Sequence, residues 1–432
     1  MDQEISFIAS GDSFITRRLP SFQTSSFQRI AKLFHNADVR FTNLETTLHH
    51  YDCVPSALSG GTWAVSPPEV LEDLKAYGIN AISWANNHTM DYLYEGLAAT
   101  ESHLNRYGFI HAGAGRNLAE ASEVRYLETP SGRVGLIAAT STFHEFQMAG
   151  EQRSDMIGRP GIHPLRYIST YGVPEDKLET LKEIARSVHL NAKRNKSIQN
   201  GYLKDEEIGV FAFGTYRFKA DETAGVSTSP HETDMKRIRR RIAEAKRQAD
   251  YVLVSIHTHE MNGDRMEEPA EFIRTFARAC IDEGAHAVIG HGPHVLRGIE
   301  IYRKRPIFYS LGNFIFHNET LPRLPAESYD KYGLGPEHTV ADVFDCRSAN
   351  GTRGYAANPQ IWRSVLPYWK MRNGELTELT LFPIELGFGL PRPQRGWPEL
   401  SSDREILLAL RELSSPFGTQ IEIDGIAGRV VL

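Results

Sequence analysis

The chain has 432 residues, of which 41% are hydrophobic and 24% are charged. This composition is that of an ordinary globular protein and excludes disorder as the main state. The 48 basic and 54 acidic residues give a net charge of −6, which offers no general electrostatic attraction for nucleic acid. The three cysteines, Cys53, Cys280 and Cys346, are widely separated, which argues against a disulfide framework or a cysteine zinc site and fits a reducing compartment.

The sequence shows no membrane or export signal. The N-terminal segment MDQEISFIAS carries two early acids, no basic region and a short apolar run, unlike a signal sequence. Nowhere does an apolar run reach the roughly 18 residues that a spanning helix needs. We therefore predict a cytoplasmic protein with no membrane contact and no nucleic-acid partner, and the sequence leaves its oligomeric state open.

The first third of the chain alternates segments typical of strands and helices. Short apolar runs predict buried strands at 5–10, 39–45, 79–86 and 134–141. Apolar residues at helical spacing predict helices over 26–34, 69–78 and about 91–107. This alternation predicts an α/β fold.

The periodicity weakens between residues 144 and 235 and then returns. We interpret 144–235 as an insertion that forms part of a substrate wall, with a helix over 175–194 and a strand over 210–218. A basic helix begins at 234, and we favour a solvated face over a nucleic-acid patch for it. Further strands are predicted at 251–257, 285–291 and 305–316, and further helices over about 268–283 and 403–413.

Polar side chains follow five of the predicted strands. They are Asp12, then Asn43 with Glu45, Asn87 with His88, His257 with His259, and His291 with His294. In an open α/β sheet, ligands and catalytic groups lie beyond the carboxyl ends of the strands. Carboxylate, amide and imidazole together predict a site for divalent metal ions, and this mixture suits manganese, iron or zinc.

Such a ligand mixture has a defined chemistry. A carboxylate placed between two cations neutralises charge and bridges them at about 3.5–4 Å. The ions lower the pKa of a bound water so that hydroxide exists near pH 7. A histidine outside the ligand set can then protonate a leaving group.

Each residue taken alone also has a structural explanation. A lone histidine at a strand end is more often a hydrogen-bonded structural residue, and Asp12 would serve equally well in a turn or a helix cap. His257 and His259 point to the same side only if the chain between them stays extended. It is the combination of residues that indicates a metal site.

Six motifs occur in one order along the chain: GDSFITR (11–17), NLETTL (43–48), ANNHTMD (85–91), HTHE (257–260), GAHAVIGHGPHVLRGIEIY (284–302) and YSLGNFIF (309–316). Together they resemble the CapA-type proteins associated with poly-γ-glutamate capsule synthesis, a branch of the calcineurin-like metallophosphoesterases. The resemblance covers about 5–143 and 234–318. It implies a metallophosphoesterase-like αββα sandwich, here with an inserted segment and a C-terminal extension.

The resemblance carries site roles over position by position. The implied metal ligands are Asp12, Glu45 in place of a bridging aspartate, Asn87, His257, His291 and His294. His88 stands for the neighbouring acid/base histidine. Phe14 stands where the first motif of the family has a histidine, and one extra residue separates His291 from His294. One tightly held metal ion and two ions of unequal affinity therefore both fit the pattern.

Four further residues are assigned to substrate binding. Arg17 and Arg18 follow the first motif closely enough to hold an anionic group, with a surface location as the alternative. His259 joins them, and Asn313 would either touch the site or shape a turn. Asp91 would either orient His88 or cap the next helix, and we favour the cap.

Two functions follow from this reading. The first is a metal-dependent hydrolase in which hydroxide attacks a phosphoester or an amide such as a γ-glutamyl bond, in a small molecule or an acidic polymer. The second is a non-catalytic protein that handles or assembles poly-γ-glutamate, and a purely structural α/β domain is a third reading. We predict residues 1–143 and 236–330 as halves of one domain, 144–235 as the insertion and 331–432 as strands and a helix packed on the core.

Overall fold

Two β-sheets stacked face to face form the centre of the fold in the computed structural model, which describes residues 4–432. Residues 1–3, part of the segment compared above with a signal sequence, lie outside the described residues. The larger sheet has ten strands and the smaller has six.

The strands of the larger sheet are, in sheet order, Ile421–Asp424, Ala427–Val430, Glu375–Glu385, Arg363–Arg372, Ile5–Phe14, Val39–Leu44, Ala81–Ser83 and Ile110–Ala112, with Asn313–Phe316 beside Ile5–Phe14 and Glu399–Leu400 beside Glu375–Glu385. The strands of the smaller sheet are Leu296–Tyr302, Arg305–Leu311, Ala287–His291, Tyr251–His257, Gly132–Thr140 and Arg125–Thr129. Two short strand pairs beside the sheets are Thr47–Leu48 with Val65–Ser66 and Ala114–Gly115 with Gly161–Ile162.

Helices cover the outer face of each sheet. Those on the larger sheet are Ser25–His35, Val70–Tyr77 and Leu93–Arg106, and those on the smaller sheet are Glu232–Ala245 and Glu271–Glu283. The remaining α-helices are Leu118–Ala121, Glu175–Ser187, Ala192–Gln199, Ala326–Asp330, Val340–Ser348 and Arg404–Ser414. Within residues 4–432, no helix has the length and apolar character required to cross a bilayer.

The main hydrophobic core lies between the two sheets. Phe7 from the larger sheet and Leu253 and Phe308 from the smaller one are buried in a single apolar cluster. Phe7 also stacks on Trp369, with ring centroids 5.0 Å apart, so the C-terminal strands belong to the same core. Two helix layers around two packed sheets confirm the predicted αββα sandwich.

The strand register brings the polar strand ends together. Ile5–Phe14 is parallel to Val39–Leu44 and to Asn313–Phe316, and Asp12 pairs with a residue of each. In the other sheet, His257 pairs with His291 across two parallel strands. The sequence interpretation placed these residues along one sheet edge, whereas the structure places them on two facing sheets.

The predicted insertion has its own small sheet. Its strands are Val210–Phe213, Tyr216–Ala220, Tyr167–Val173 and Gly225–Pro230. Tyr167 stacks on Phe272 of the outer helix layer, with centroids 4.4 Å apart. The part of the insertion that approaches the polar strand ends is its beginning, where Gln147 Nε2 donates a hydrogen bond of 3.2 Å to the Asn87 carbonyl. A role as substrate wall stays a prediction.

Three buried histidines that are not among the predicted metal ligands make the fold sensitive to acid. Burial lowers the pKa of His111 to about 4, and that of His163 and His286 to about 3. Between those values and the pKa near 6.5 of an unfolded histidine, the unfolded state binds more protons. We therefore expect the free energy of unfolding to fall by about 1.4 kcal/mol per pH unit for each histidine as the pH drops from 6.5 toward 4.

Urea unfolding at several pH values measures this effect. A His163→Gln variant should show a shallower pH slope than the parent, whatever its stability at pH 7. Equal slopes for the two proteins between pH 6.5 and 5 would show that His163 is not held neutral by burial.

Candidate metal centre

The first part of the site joins Asp12 to two histidines of the facing sheet. Asp12 Oδ1 lies 3.4 Å from His291 Nδ1 and 3.6 Å from His257 Nδ1, and the two Nδ1 atoms are 3.0 Å apart. Asn43 Nδ2 and the Gly292 amide donate to the two Asp12 oxygens. All three ligand atoms of this group lie within 4.8 Å of one another, so they could hold one metal ion.

The second part of the site forms on the other side of the His257 ring. His257 Nε2 lies 3.1 Å from His259 Nε2 and 3.7 Å from Glu45 Oε1. Glu45, His257 and His259 form a second group of the same compactness, and Asp12, Glu45 and His294 form a third. Because the groups share members, they make one connected centre rather than separate sites.

Three buried acceptor atoms of residues predicted as metal ligands have no hydrogen-bond partner among the described residues. Both carboxylate oxygens of Glu45 are buried and unpartnered, and so is Asn87 Oδ1. The Asn87 amide nitrogen donates instead to the Gly60 carbonyl, at 2.8 Å, which fixes the orientation of the side chain. Glu45 Oε1 lies 3.7–3.9 Å from imidazole nitrogens of His257, His294 and His88. Because a buried polar group without a partner costs free energy, this arrangement fits a bound cation.

The electrostatics of the centre also call for positive charge. Burial, reinforced by the charges of Asp12 and Asp91, raises the pKa of Glu45 well above its usual range. Burial acts on Asp12 in the same direction, but contacts with His257 and His291 dominate and hold its pKa well below the usual value. Burial lowers the pKa of His257 to about 4, so this ring is neutral at pH 7 and offers the lone pair of one ring nitrogen to a metal.

The turn from His291 to His294 is shaped to return a second histidine to the centre. Gly292 has a φ of 119°, and a Cβ there would lie 2.8 Å from the Thr258 amide nitrogen, so only glycine fits. His294 itself has a φ of 61°, which is rare for a residue with a side chain. Such local strain is typical of functional sites.

His88 is held at the rim by a carboxylate. Its Nδ1 lies 2.6 Å from Asp91 Oδ2, and its Nε2 lies 3.9 Å from Glu45 Oε1, facing the centre. Asp91 also accepts hydrogen bonds from the amides of Gly60 and Ala64. The helix-cap interpretation of Asp91 is wrong, because the next helix is capped at Tyr92 and Asp91 orients His88 instead.

Phe14 occupies the position at which the first motif of the related metallophosphoesterases has a histidine. Its buried ring contacts His88 edge to face, with centroids 5.3 Å apart. It therefore supplies packing to the acid/base candidate and no ligand atom.

The two arginines assigned to substrate binding have partners elsewhere. Arg18 forms ion pairs with Glu72 and Asp73, at 2.8 and 2.9 Å. Arg17 donates to the Arg395 carbonyl and lies 5.5 Å from the centre of the Trp397 ring. The structure does not bring either guanidinium into contact with the metal ligands.

The other two substrate-binding candidates lie inside the centre. His259 presents Nε2 as a ligand atom, as described above. Asn313 Oδ1 lies 2.8 Å from His294 Nδ1, and Asn313 Nδ2 donates to the Ile361 carbonyl at 2.9 Å. Asn313 thus orients His294, and both of its amide groups are used within the protein.

Sequence reasoning named Asn43 only as a polar residue at a strand end, and it gave no role to Asn86, Ser255 and Tyr355, which also shape the site. Asn43 bonds to Asp12, and Asn86 Oδ1 accepts from the His88 amide at 3.0 Å. Ser255 Oγ lies 2.7 Å from His291 Nε2 and fixes that ring. Tyr355 lies beside His294, with ring centroids 5.3 Å apart. Asn43 and Asn86 stand in the quoted motifs and could have been found, whereas no sequence signal marks Tyr355.

Arg297 ties down the loop that carries His259. The side chain is fully buried, and its guanidinium donates to the carbonyls of Thr258, His259, Glu260 and Met266 at 2.9–3.4 Å. Burial lowers its pKa to about 10, so it stays protonated at neutral pH. Met266 belongs to the small hairpin Met261–Asn262 with Arg265–Pro269, which Arg297 thereby holds against the centre.

An Arg297→Met variant should therefore lose at least about 2 kcal/mol of folding stability, because buried carbonyls are left without donors. Limited proteolysis should also cut the hairpin faster than in the parent. Denaturant unfolding measures the first effect, with Arg265→Met, an exposed arginine of the same hairpin, as the matched control. Equal losses in the two variants would contradict this role for Arg297.

The fold and the site together define an α/β sandwich with buried aspartate, glutamate and histidine groups that could hold a metal ion. The family comparison agrees with that class. Residues 6–318 match the model of the bacterial capsule synthesis protein family PGA_cap, and the chain belongs to that family.

Similar proteins support the same conclusion. An uncharacterized protein of Sinorhizobium fredii, y4sH, is 37% identical over 438 residues, covering 98% of this chain and 92% of that protein. The PGA biosynthesis protein CapA of Bacillus subtilis is 36% identical over 145 residues, covering 32% of this chain and 37% of that protein. The capsule biosynthesis protein CapA of Bacillus anthracis is 24% identical over 248 residues, covering 57% and 43%. The predicted CapA-type resemblance is confirmed.

Proposed function

We propose that the protein is a metal-dependent hydrolase that cleaves a phosphoester or a γ-glutamyl amide bond in an acidic substrate. The observation that carries the proposal is the pair of buried, unpartnered Glu45 oxygens among the imidazoles of His257, His259 and His294. A structural core would not leave a carboxylate in this state, since its burial without a partner is costly. A binding site for cations accounts for it.

The residues present fit divalent ions. Asp12, His257 and His291 could hold one ion, and Glu45 and His259, on the other side of the His257 ring, could supply ligands to another. A neutral imidazole ligates through one nitrogen only, so His257 would serve one of the two ions. Oxygen and imidazole ligands suit manganese, iron or zinc. When bound, such ions supply Lewis acidity that activates water and polarises the scissile group.

His88 is the acid/base candidate of this chain. Its Nδ1 is committed to Asp91, which leaves Nε2 facing the centre. Nε2 would first take up a proton from water, and the resulting imidazolium, paired with Asp91, would give that proton to a leaving oxygen or nitrogen. Asp91 fixes the tautomer and the ring orientation through this bond. Phe14 packs against the same ring and limits its rotation.

The relatives support an acidic substrate. One similar protein is a PGA biosynthesis protein by name and another is a capsule biosynthesis protein. Phosphoester and amide hydrolysis place the same demands on a site, namely a Lewis acid, an activated water and a proton for the leaving group. The identity of the bond is therefore a question for assay.

The test begins with protein purified without chelator and analysed for manganese, iron and zinc. The same protein is then assayed on a panel of p-nitrophenyl phosphoesters and γ-glutamyl anilides, before and after chelation and after metal is restored. We expect turnover of one class, its loss on chelation and its return with metal. Binding of poly-γ-glutamate without turnover of any substrate would contradict the hydrolase proposal and favour polymer handling.

A further inference from the structure

A cationic cavity of about 250 Å³ lies beside the metal centre and has no part in the function proposed so far. Its charged lining residues are Arg347, Lys331 and Glu327, and His144 lies at the same wall. The positive charges of Arg347 and Lys331 outnumber the negative charge of Glu327, so the cavity favours binding of an anion.

Two walls connect the cavity to the centre. Ser59 and Gly61 line it, and Gly60 between them accepts the bond from Asn87 and donates to Asp91. His144 Nε2 lies 3.3 Å from the Ser59 carbonyl oxygen, which closes this side.

The second wall comes from the C-terminal part of the chain. Arg347 stands in the last turn of the helix Val340–Ser348. The segment that follows this helix brings Tyr355 against His294. The chain after this helix therefore links the wall that carries Arg347 to the His294 side of the centre.

Arg347 has the state expected of a ligand-binding arginine. Of the charged residues that the structure describes around this cavity, none forms an ion pair with it, although its neighbours Arg353 and Arg392 are both bonded to protein oxygens. It is only half-buried, so an arriving ligand can reach it. A guanidinium without a partner presents its planar fork of donors to a carboxylate or phosphate.

We propose that this cavity, the Arg347 pocket, binds a second anionic group of the substrate. That group would be a carboxylate or a phosphate at some distance from the scissile bond. This inference rests on the proposed function for its place in turnover, but binding to the pocket can be measured without turnover. Lys331 adds to the attraction from the rim of the pocket.

The probes are inorganic phosphate and glutarate, titrated calorimetrically into the full chain with Mn²⁺ and again after chelation. Chelation removes any metal that would itself hold an anion, so the second titration reports the pocket alone. Arg347→Ala should weaken binding of one probe about tenfold or more in both conditions, as loss of a charge-assisted bond predicts. The probe that is affected distinguishes a carboxylate from a phosphate ligand.

Arg29→Ala is the matched control, since it removes one exposed positive charge from the helix Ser25–His35, outside the cavity lining. Arg347→Lys keeps the charge but loses the fork, so it should bind with intermediate affinity. If circular dichroism shows that Arg347→Ala does not fold, the affinity of Arg347→Lys is compared with that of the parent instead. Failure of both probes to bind the chelated parent, or parental affinity in Arg347→Ala, overturns the proposal, whereas absent turnover alone overturns only the proposed function.

Discussion

An Asp12→Asn variant should lose its metal and slow hydrolysis by roughly 10³-fold or more, since several kcal/mol of transition-state stabilisation depend on the ions. The substitution keeps the shape of the side chain but removes the charge. Asp12 now accepts bonds from Asn43 Nδ2 and the Gly292 amide. An asparagine amide would face one of these donors with its own NH₂ group, so the site would lose both charge and order.

Metal analysis and activity, measured on the same preparation, decide this prediction. Asp73→Asn is the control, because Asp73 is also a fully buried carboxylate but pairs with Arg18 outside the centre. The control should keep its metal and its turnover. If the Asp12→Asn variant kept its full metal content, the ions would be held by residues other than Asp12.

A His88→Gln variant should keep its metal but lose roughly 10²- to 10⁴-fold in kcat on substrates with poor leaving groups, the usual contribution of general acid catalysis. His88 Nε2 faces the centre at 3.9 Å from Glu45, and Asp91 holds the opposite nitrogen. A leaving group that departs without a proton, such as p-nitrophenolate, should be much less affected. The dependence on leaving group separates proton donation from a purely structural role.

Asp91→Asn tests the orientation of the same ring. It should reproduce part of the His88 effect with the same dependence on leaving group, since the tautomer is no longer fixed. A uniform loss across all leaving groups in both variants would contradict the assignment of His88 as a proton donor.

The ligand residues could be predicted because they stand where strands end. Asp12, His257 and His291 each follow an apolar run, and parallel strands bring such ends to one edge. The α/β class followed from the alternation of strands and helices, and the layered sandwich was implied by the family resemblance. The division into two facing sheets could not be read from periodicity, because buried strands of either sheet look alike in sequence.

Residues that act through long-range contacts escaped prediction. Tyr355 lies more than sixty positions after His294, its neighbour in the structure, and no periodicity links them. Arg18 looked like an anion-binding residue until the structure paired it with Asp73 on an adjacent helix. Asp91 illustrates a local ambiguity, since an aspartate just before a helix fits a cap as well as a partner for His88.

Crystals of the protein grown or soaked with Mn²⁺, with diffraction recorded on both sides of the manganese absorption edge, test the central claim most directly. The account predicts anomalous density within bonding distance of Asp12 and His257, with a second peak near Glu45 and His259 if two ions bind. The account would be contradicted if the crystals showed Mn²⁺ bound at full occupancy elsewhere on the molecule and no anomalous peak among these side chains.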